Sequence, residues 1–326
     1  MKSRGERIGL DAHLALDAAR VAEAAALAAS AFIGRGDEME ADRAAAEAMR
    51  DVLNALDIEG VIVIGEGERD EAPLLFIGEK VGSGRGPRLD IALDPLEGTT
   101  LAAKAVANAL TVVAFAPAGG LLQAPDVYMD KIAIGPGYPD GLVDLDASPA
   151  DNVRAIAQAK GVDAAEIRVC VLDRPRHADI IASLRSVGAR VLLIPDGDVT
   201  GVINTTDPAR HADLYLGQGG AREGVLACAA LKCVGGQFQG RFVFKGEDDK
   251  GRARRLGIAD AAFGRKYALE DLVPGEAIFA ATGVTKGALL DGVRWDRDAV
   301  TTHTVVMTSL DRNIRDIRTR RPPLHG

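Results

Sequence analysis

Residues 11–33 carry apolar side chains, mostly alanine, at helical spacing, and Gly34-Arg35-Gly36-Asp37 stops the run. A second helix is expected from about Glu40 to Leu56. The β-branched run Val61-Ile62-Val63-Ile64 predicts a short strand. Pro73 to Val81 resumes a strand-like pattern, and Leu89-Asp90-Ile91-Ala92-Leu93 predicts another strand after the turn at 82–87. Further strands are expected near 110–115 and 127–134, with Gly135-Pro136-Gly137 as a breaker. After about residue 148 the rhythm changes. Helix 149–160, strand 167–172, helix 176–187, strand 190–194, a helix from about 198, strand 213–216 and helix 221–233 alternate. Such alternation predicts βαβ units and a parallel sheet. Residues 245–256 read as a charged loop, strands return at 276–281 and 301–309, and the basic stretch after Arg312 reads as a solvated terminus.

The change of rhythm divides the chain into an N-terminal lobe, 1–147, and a C-terminal α/β lobe, 148–326. Composition adds constraints. A chain of 326 residues with 47% hydrophobic and 26% charged residues suits a soluble globular protein with ample core. No run approaches the roughly 20 apolar residues of a membrane span. The start Met1-Lys2-Ser3-Arg4 lacks an apolar signal core, and Asp11 and Asp17 enter early, so a cytoplasmic protein is expected. Cys170, Cys228 and Cys233 have no metal-ligand spacing and read as core thiols. A net charge of −8 argues against a nucleic-acid surface. It also opposes an anionic substrate, unless bound cations reverse the local field.

Chemistry concentrates in Asp94-Pro95-Leu96-Glu97-Gly98-Thr99-Thr100, between a strand and a short helix-forming run from Leu101. Pro95 favours a turn there, Gly98 permits close backbone approach, and Thr99 and Thr100 sit where a helix exposes free N–H groups. Taken alone, the heptapeptide is equally an acidic turn capped by threonine and a metal–phosphate site. Gly65-Glu66-Gly67-Glu68-Arg69-Asp70-Glu71 adds four carboxylates after another strand, and Asp42 flanks it from a helix. Hard cations take such oxygen ligands, and a pair of them can clamp a phosphoryl group and activate water.

Gly65-Glu66-Gly67-Glu68 with Asp94 to Thr99 resembles the metal signature of the lithium-sensitive, metal-dependent phosphatase superfamily. That superfamily includes inositol monophosphatases and fructose-1,6-bisphosphatases. The wider wording resembles the bacterial class II fructose-1,6-bisphosphatases: Gly34 to Asp37, Val63 to Pro73, Ala124-Pro125-Asp126-Val127-Tyr128-Met129, Pro175-Arg176-His177, Ile194 to Asp198, and Ala280 to Gly287. The resemblance implies a layered α/β/α/β/α sandwich and hydrolysis of the 1-phosphate of fructose 1,6-bisphosphate. Sedoheptulose 1,7-bisphosphate is a further substrate in some relatives. It implies two or more Mg²⁺ or Mn²⁺ ions, with Asp42 and Glu66 on one and Asp94, Glu97 and Glu223 on the other. It also implies a dimer or tetramer. The expected reaction has no covalent phosphoenzyme. Thr99 and a carboxylate orient the water; Asp70 is the first choice, with Glu68 and Asp42 as alternatives.

The second half supplies residues for the sugar and its remote phosphate. Asp196-Gly197-Asp198 follows a strand, where open α/β sheets bind ligands, and its aspartates can accept from hydroxyls or cap the next helix. Arg174-Pro175-Arg176 also follows a strand, and arginine suits phosphate. By the resemblance, these segments bind substrate together with Tyr128, Gly220 and the Glu97-Gly98-Thr99 turn. His177 reads as structural. Gly217-Gln218-Gly219-Gly220 superficially resembles a dinucleotide fingerprint, but lacks the acidic residue about 20 positions on. Two departures stand out. The lysine of many members is missing from Asp37-Glu38-Met39-Glu40, leaving Lys104 or Lys131 as substitutes, and Arg174 stands where the family has lysine. A catalytically weakened sugar-phosphate binder and an inositol-monophosphatase-like enzyme are the rival readings.

Overall fold

A computed structural model describes residues 10–68, 72–207 and 212–322. Contacts divide the chain into two units, Met1–Leu121 with Pro274–Gly326, and Leu122–Val273. The boundary expected at 147/148 falls inside the second unit. The reason is the strand Tyr128–Ile134, which hydrogen bonds between Leu214–Gly220 and Gln237–Val243. The residues from 274 onward belong with the first unit, because their strands continue its sheet.

In the first unit, the helices Leu14–Ser30 and Glu38–Asn54 form close to where the apolar spacing put them. Asp37 caps the second by accepting from Glu40 N–H at 3.0 Å. The alanines of the first helix are almost all buried, and their small side chains let it lie close to Ile62, Ile91, Phe115, Ile278 and Val306 in one core. The sheet beneath runs Arg294–Trp295, Val300–Thr308, Ile278–Gly283, Leu110–Pro117, Arg88–Glu97, Glu59–Ile64 and Lys80–Val81. Glu59–Ile64 and Arg88–Glu97 are parallel neighbours. Of the strand-like run 73–81 only Lys80–Val81 is a strand. The basic stretch after Arg312 is not a free tail: Asn313–Arg321 pairs along Val300–Thr308 as an edge strand.

The second unit has its own sheet, in the order Tyr267–Ala268, Gln237–Val243, Tyr128–Ile134, Leu214–Gly220, Arg168–Leu172 and Arg190–Ile194. Only the last three strands are mutually parallel neighbours; the others pair antiparallel, so the expected parallel sheet is mixed. The helix Pro149–Lys160 has a complete set of end signals: Ser148 as cap, proline at its start and left-handed Gly161 at its end. It packs on a core of Ile132, Ile134, Val169, Val171 and Leu214. Residues expected as a charged loop form the helix Glu247–Arg255. Cys170, Cys228 and Cys233 are buried thiols outside any disulfide, as expected. Two mixed sheets with their helices make the chain an α/β protein. Among the described residues no helix is long and apolar enough to cross a membrane.

Candidate active site

Glu66 and Asp94 of the first unit come to one end of its sheet because two parallel strands leave their pairing there. Ile64 pairs with Ala92. Glu66 and Asp94 each lie two residues beyond that pair in their own chains. Gly65 is required at the exit: a Cβ on it would stand 2.0 Å from Leu75 O. Glu66 N–H donates to the same carbonyl at 3.1 Å.

The turn expected at Pro95 is instead a bulge. The strand continues to Glu97, with its pairing to Leu110–Pro117 interrupted between Asp94 and Glu97. Proline, lacking an N–H, is tolerated at such an irregularity. Asp94 Oδ1 accepts from Leu96 N–H at 3.0 Å, which fixes the bulge. Glu97 is buried. Gly98 then takes a φ of 84°, a conformation that favours glycine, and turns the chain into the helix Thr99–Ala103. Thr99 is half-buried at the first position of that helix.

Asp42 reaches Glu66 from the helix Glu38–Asn54. Its carboxyl shares a hydrogen bond with Glu66, and burial raises its pKa while that bond opposes the rise. Both residues line a cavity of about 320 Å³ with Met39, Arg43, Pro73 and Leu74. The all-oxygen donor set of these two carboxyls suits a hard divalent ion. Glu68 is half-buried nearby in sequence. Asp70, expected as the catalytic carboxylate, lies outside the described residues. Among the described residues no group of three or more His, Cys, Asp or Glu side chains converges to hold a metal.

In the second unit the expected sugar and phosphate residues come from two parallel strands and their neighbour. Arg168–Leu172 and Arg190–Ile194 are parallel, and Arg174 and Asp196 follow their ends. The Arg174 guanidinium is 3.9 Å from the Asp196 carboxylate. Pro175 opens a single 3-10 turn, and Arg176 donates twice to Gln218 O, at 3.2 and 2.8 Å. Its guanidinium lies over the Tyr128 ring at 4.9 Å from the centroid. His177 is structural, as expected. Gln218 N–H donates to its Nε2 at 2.8 Å, so Nδ1 carries the proton and donates to Leu172 O at 2.7 Å.

Asp198 is not a helix cap. Gly197, with φ 83°, caps the helix Asp198–Ile203, and the buried Asp198 carboxylate pairs with the buried Lys131 ammonium. Lys131 is therefore committed to Asp198, while Lys104 is exposed at the end of its short helix. Glu223, in the first turn of the helix Ala221–Val234, has its pKa raised by burial and by the Asp198 charge, against the pull of Lys131 and Arg222.

The glycine run 217–220 is not a loop. It completes the strand Leu214–Gly220, and its missing side chains make room for charged and polar ones. A Cβ on Gly217 would stand 3.2 Å from the His177 ring, on Gly219 2.0 Å from Asp198 Oδ2, and on Gly220 1.9 Å from Glu223 Oε2. Sequence reasoning missed Lys245, whose ammonium lies 4.2 Å from the Tyr128 ring centroid. Basic residues in a polar stretch carry no periodic signal, so nothing in the sequence distinguished it from its charged neighbours.

Fold and side chains together make this an α/β protein in which Asp42 and Glu66 line one cavity and, in the second unit, Arg176 lies over Tyr128 and Arg174 faces Asp196. The profile of the family described as "Bacterial fructose-1,6-bisphosphatase, glpX-encoded" matches residues 12–321. The chain belongs to that family. It is 44% identical over 319 residues, 94% of each chain, to "Fructose-1,6-bisphosphatase 1 class 2" of Escherichia coli strain K12. The same figures hold for "Fructose-1,6-bisphosphatase class 2" of Shigella flexneri.

Proposed function

We propose that the chain hydrolyses the 1-phosphate of fructose 1,6-bisphosphate, giving fructose 6-phosphate and inorganic phosphate. Family membership supports the reaction class. The observation that carries it to particular residues is the shared hydrogen bond of Asp42 and Glu66 in a cavity at the exit of the first unit's parallel strand pair. Asp42, Glu66, Asp94 and Glu97, with Glu223 as a further carboxylate, are the residues that would hold two or more Mg²⁺ or Mn²⁺ ions. Bound cations would offset the charge on the phosphoryl and leaving oxygens.

The protein's own groups do the rest. Thr99 orients the attacking water by its hydroxyl, and Asp70 accepts the proton, with Glu68 as the alternative carboxylate. The Glu97-Gly98-Thr99 turn offers its backbone to the phosphoryl group. Asp196 and Asp198 accept from sugar hydroxyls, while Tyr128, Arg174 and Arg176 take the remote phosphate, beside Pro175, Gly197 and Gly220. We further propose a cytoplasmic homo-oligomer, dimer or tetramer, whose mass in sedimentation equilibrium decides between the two.

The test is a phosphate-release panel with Mg²⁺ and Mn²⁺. Fructose 1,6-bisphosphate is expected to be hydrolysed well above inositol monophosphate, and a chelator to abolish the release. Sedoheptulose 1,7-bisphosphate belongs in the same panel as the second proposed substrate. Equal turnover of inositol monophosphate, or release that survives chelation, would sink the reading.

A further inference from the structure

Tyr128 opens the strand Tyr128–Ile134, with Gly220 paired on one side and Val243 on the other. Lys245 follows two residues after Val243. Its backbone N–H donates to Asp249 Oδ2 at 2.8 Å, so the start of its side chain has a fixed anchor while the ammonium is free to extend. That ammonium and the Arg176 guanidinium both lie over the one Tyr128 ring, at 4.2 and 4.9 Å from its centroid. Both side chains are exposed, and among the described residues no carboxylate lies within ion-pair distance of either.

A single cation on a tyrosine face is an ordinary surface contact. Two like charges drawn to one ring are not: each raises the cost of the other, and among the described residues no acid is ion-paired with either. An anion within reach of both removes that cost. The donors are also divided to suit one. Arg176 spends its Nε–H and an Nη2–H on Gln218 O, which locks the guanidinium in place. Lys245 spends none of its three ammonium donors on the described protein. A fixed, planar cation and a mobile, fully available one together fit the several oxygens of a phosphate monoester better than either alone.

We infer that Lys245 is a specificity-determining residue that, with Arg176 and Tyr128, binds the phosphate remote from the cleaved bond. This rests on the proposed fructose 1,6-bisphosphate activity, in which that group is the 6-phosphate. Lys245 therefore selects sugar bisphosphates over monophosphates cleaved at the same carbon, and contributes nothing to the chemical step.

The experiment compares wild type, Lys245→Ala and Lys245→Arg, all checked for unchanged melting temperature. With fructose 1,6-bisphosphate, Lys245→Ala is expected to raise KM by about tenfold and leave kcat within about twofold. With fructose 1-phosphate, kcat/KM is expected to be unchanged. Lys245→Arg should restore most of the lost affinity. Calorimetry with fructose 6-phosphate gives a second readout without turnover, and the alanine variant is expected to bind it about tenfold more weakly. Equal fructose 6-phosphate affinity in wild type and Lys245→Ala overturns the inference, as does an equal loss on both substrates. A wild-type protein that releases no phosphate from fructose 1,6-bisphosphate sinks the functional reading instead, and the calorimetric comparison still decides Lys245.

Discussion

Asp213 shows at the scale of one residue how a buried charge is kept. Burial pushes its carboxyl pKa up, yet the net shift is down, because Lys160 and both the backbone and side chain of Arg168 donate to it. The three bonds measure 2.6, 2.8 and 3.3 Å. The carboxylate form is thus favoured in the folded state over the unfolded one. For an acid with a depressed folded pKa, that stabilisation is present above the unfolded value of about 3.8 and is lost as pH falls through the lower folded value. Asp213→Asn keeps the shape and removes the charge. It is expected to cost about 1–3 kcal/mol near neutrality. In melting temperatures measured across pH, the gap between wild type and variant should close below about pH 3.8. A gap that persists undiminished into acid would assign the cost to shape rather than charge. The glycines at 217–220 teach the complementary lesson. Their identity is set by the side chains packed against them, His177 and Asp198 among them from other elements, so a local reading saw only a superficial likeness to a dinucleotide fingerprint.

At the scale of elements, the helix Glu247–Arg255 is the informative case. It buries only Ala253 and has no apolar stripe, so periodicity could not reveal it. It is held by its charge order, with Glu247 pairing to Lys250 and Arg254, and Arg254 also to Asp260. Gly251 sits within it and carries no positive φ; a Cβ there would meet nothing nearer than Arg255 Nη1 at 3.9 Å. Gly251→Ala is therefore expected to stabilise the protein by about 0.5–1 kcal/mol, read from denaturant midpoints at unchanged slope. A destabilised variant would mean that this glycine serves a contact rather than the helix. The same contrast explains what the sequence revealed elsewhere. Elements with a buried face announced themselves: the alanine helix, the strand expected at 167–172 and the capped helix Pro149–Lys160 all lie at or within a few residues of their expected bounds. The edge strand Asn313–Arg321 did not, because it is largely exposed and rich in arginine. Its inward anchor is the buried Glu23, which accepts from Thr319 at 2.6 Å and from Arg321 at 3.4 Å. That partner lies almost the whole chain away, beyond the reach of any local pattern.

Across the whole molecule, the net charge of −8 and the proposed anionic substrate are reconciled only if bound cations change the sign of the field where the phosphate sits. Thermodynamic linkage makes this measurable apart from activity. An ion that binds the folded chain and not the unfolded one raises stability by about 2.7 kcal/mol at a concentration a hundred times its Kd. The melting temperature of the wild type should therefore climb with added Mn²⁺ or Mg²⁺ and return on chelation. Asp94→Asn is the discriminating variant. An asparagine carbonyl can still accept from Leu96 N–H, the bond that holds the bulge, so the backbone leading into Gly98 and Thr99 is preserved. What it loses is one anionic ligand. The variant is expected to match the wild type's melting temperature without metal, to show a much smaller rise with metal, and to release phosphate about a hundredfold more slowly. A variant that melts lower without metal would show that Asp94 serves the fold. One with a full metal-dependent rise would show that the cations are held by other residues. If instead the rise and the turnover fall together while the metal-free protein is unchanged, the acidic end of the parallel strand pair is a metal site, and the charge balance of the chain is explained by what it binds.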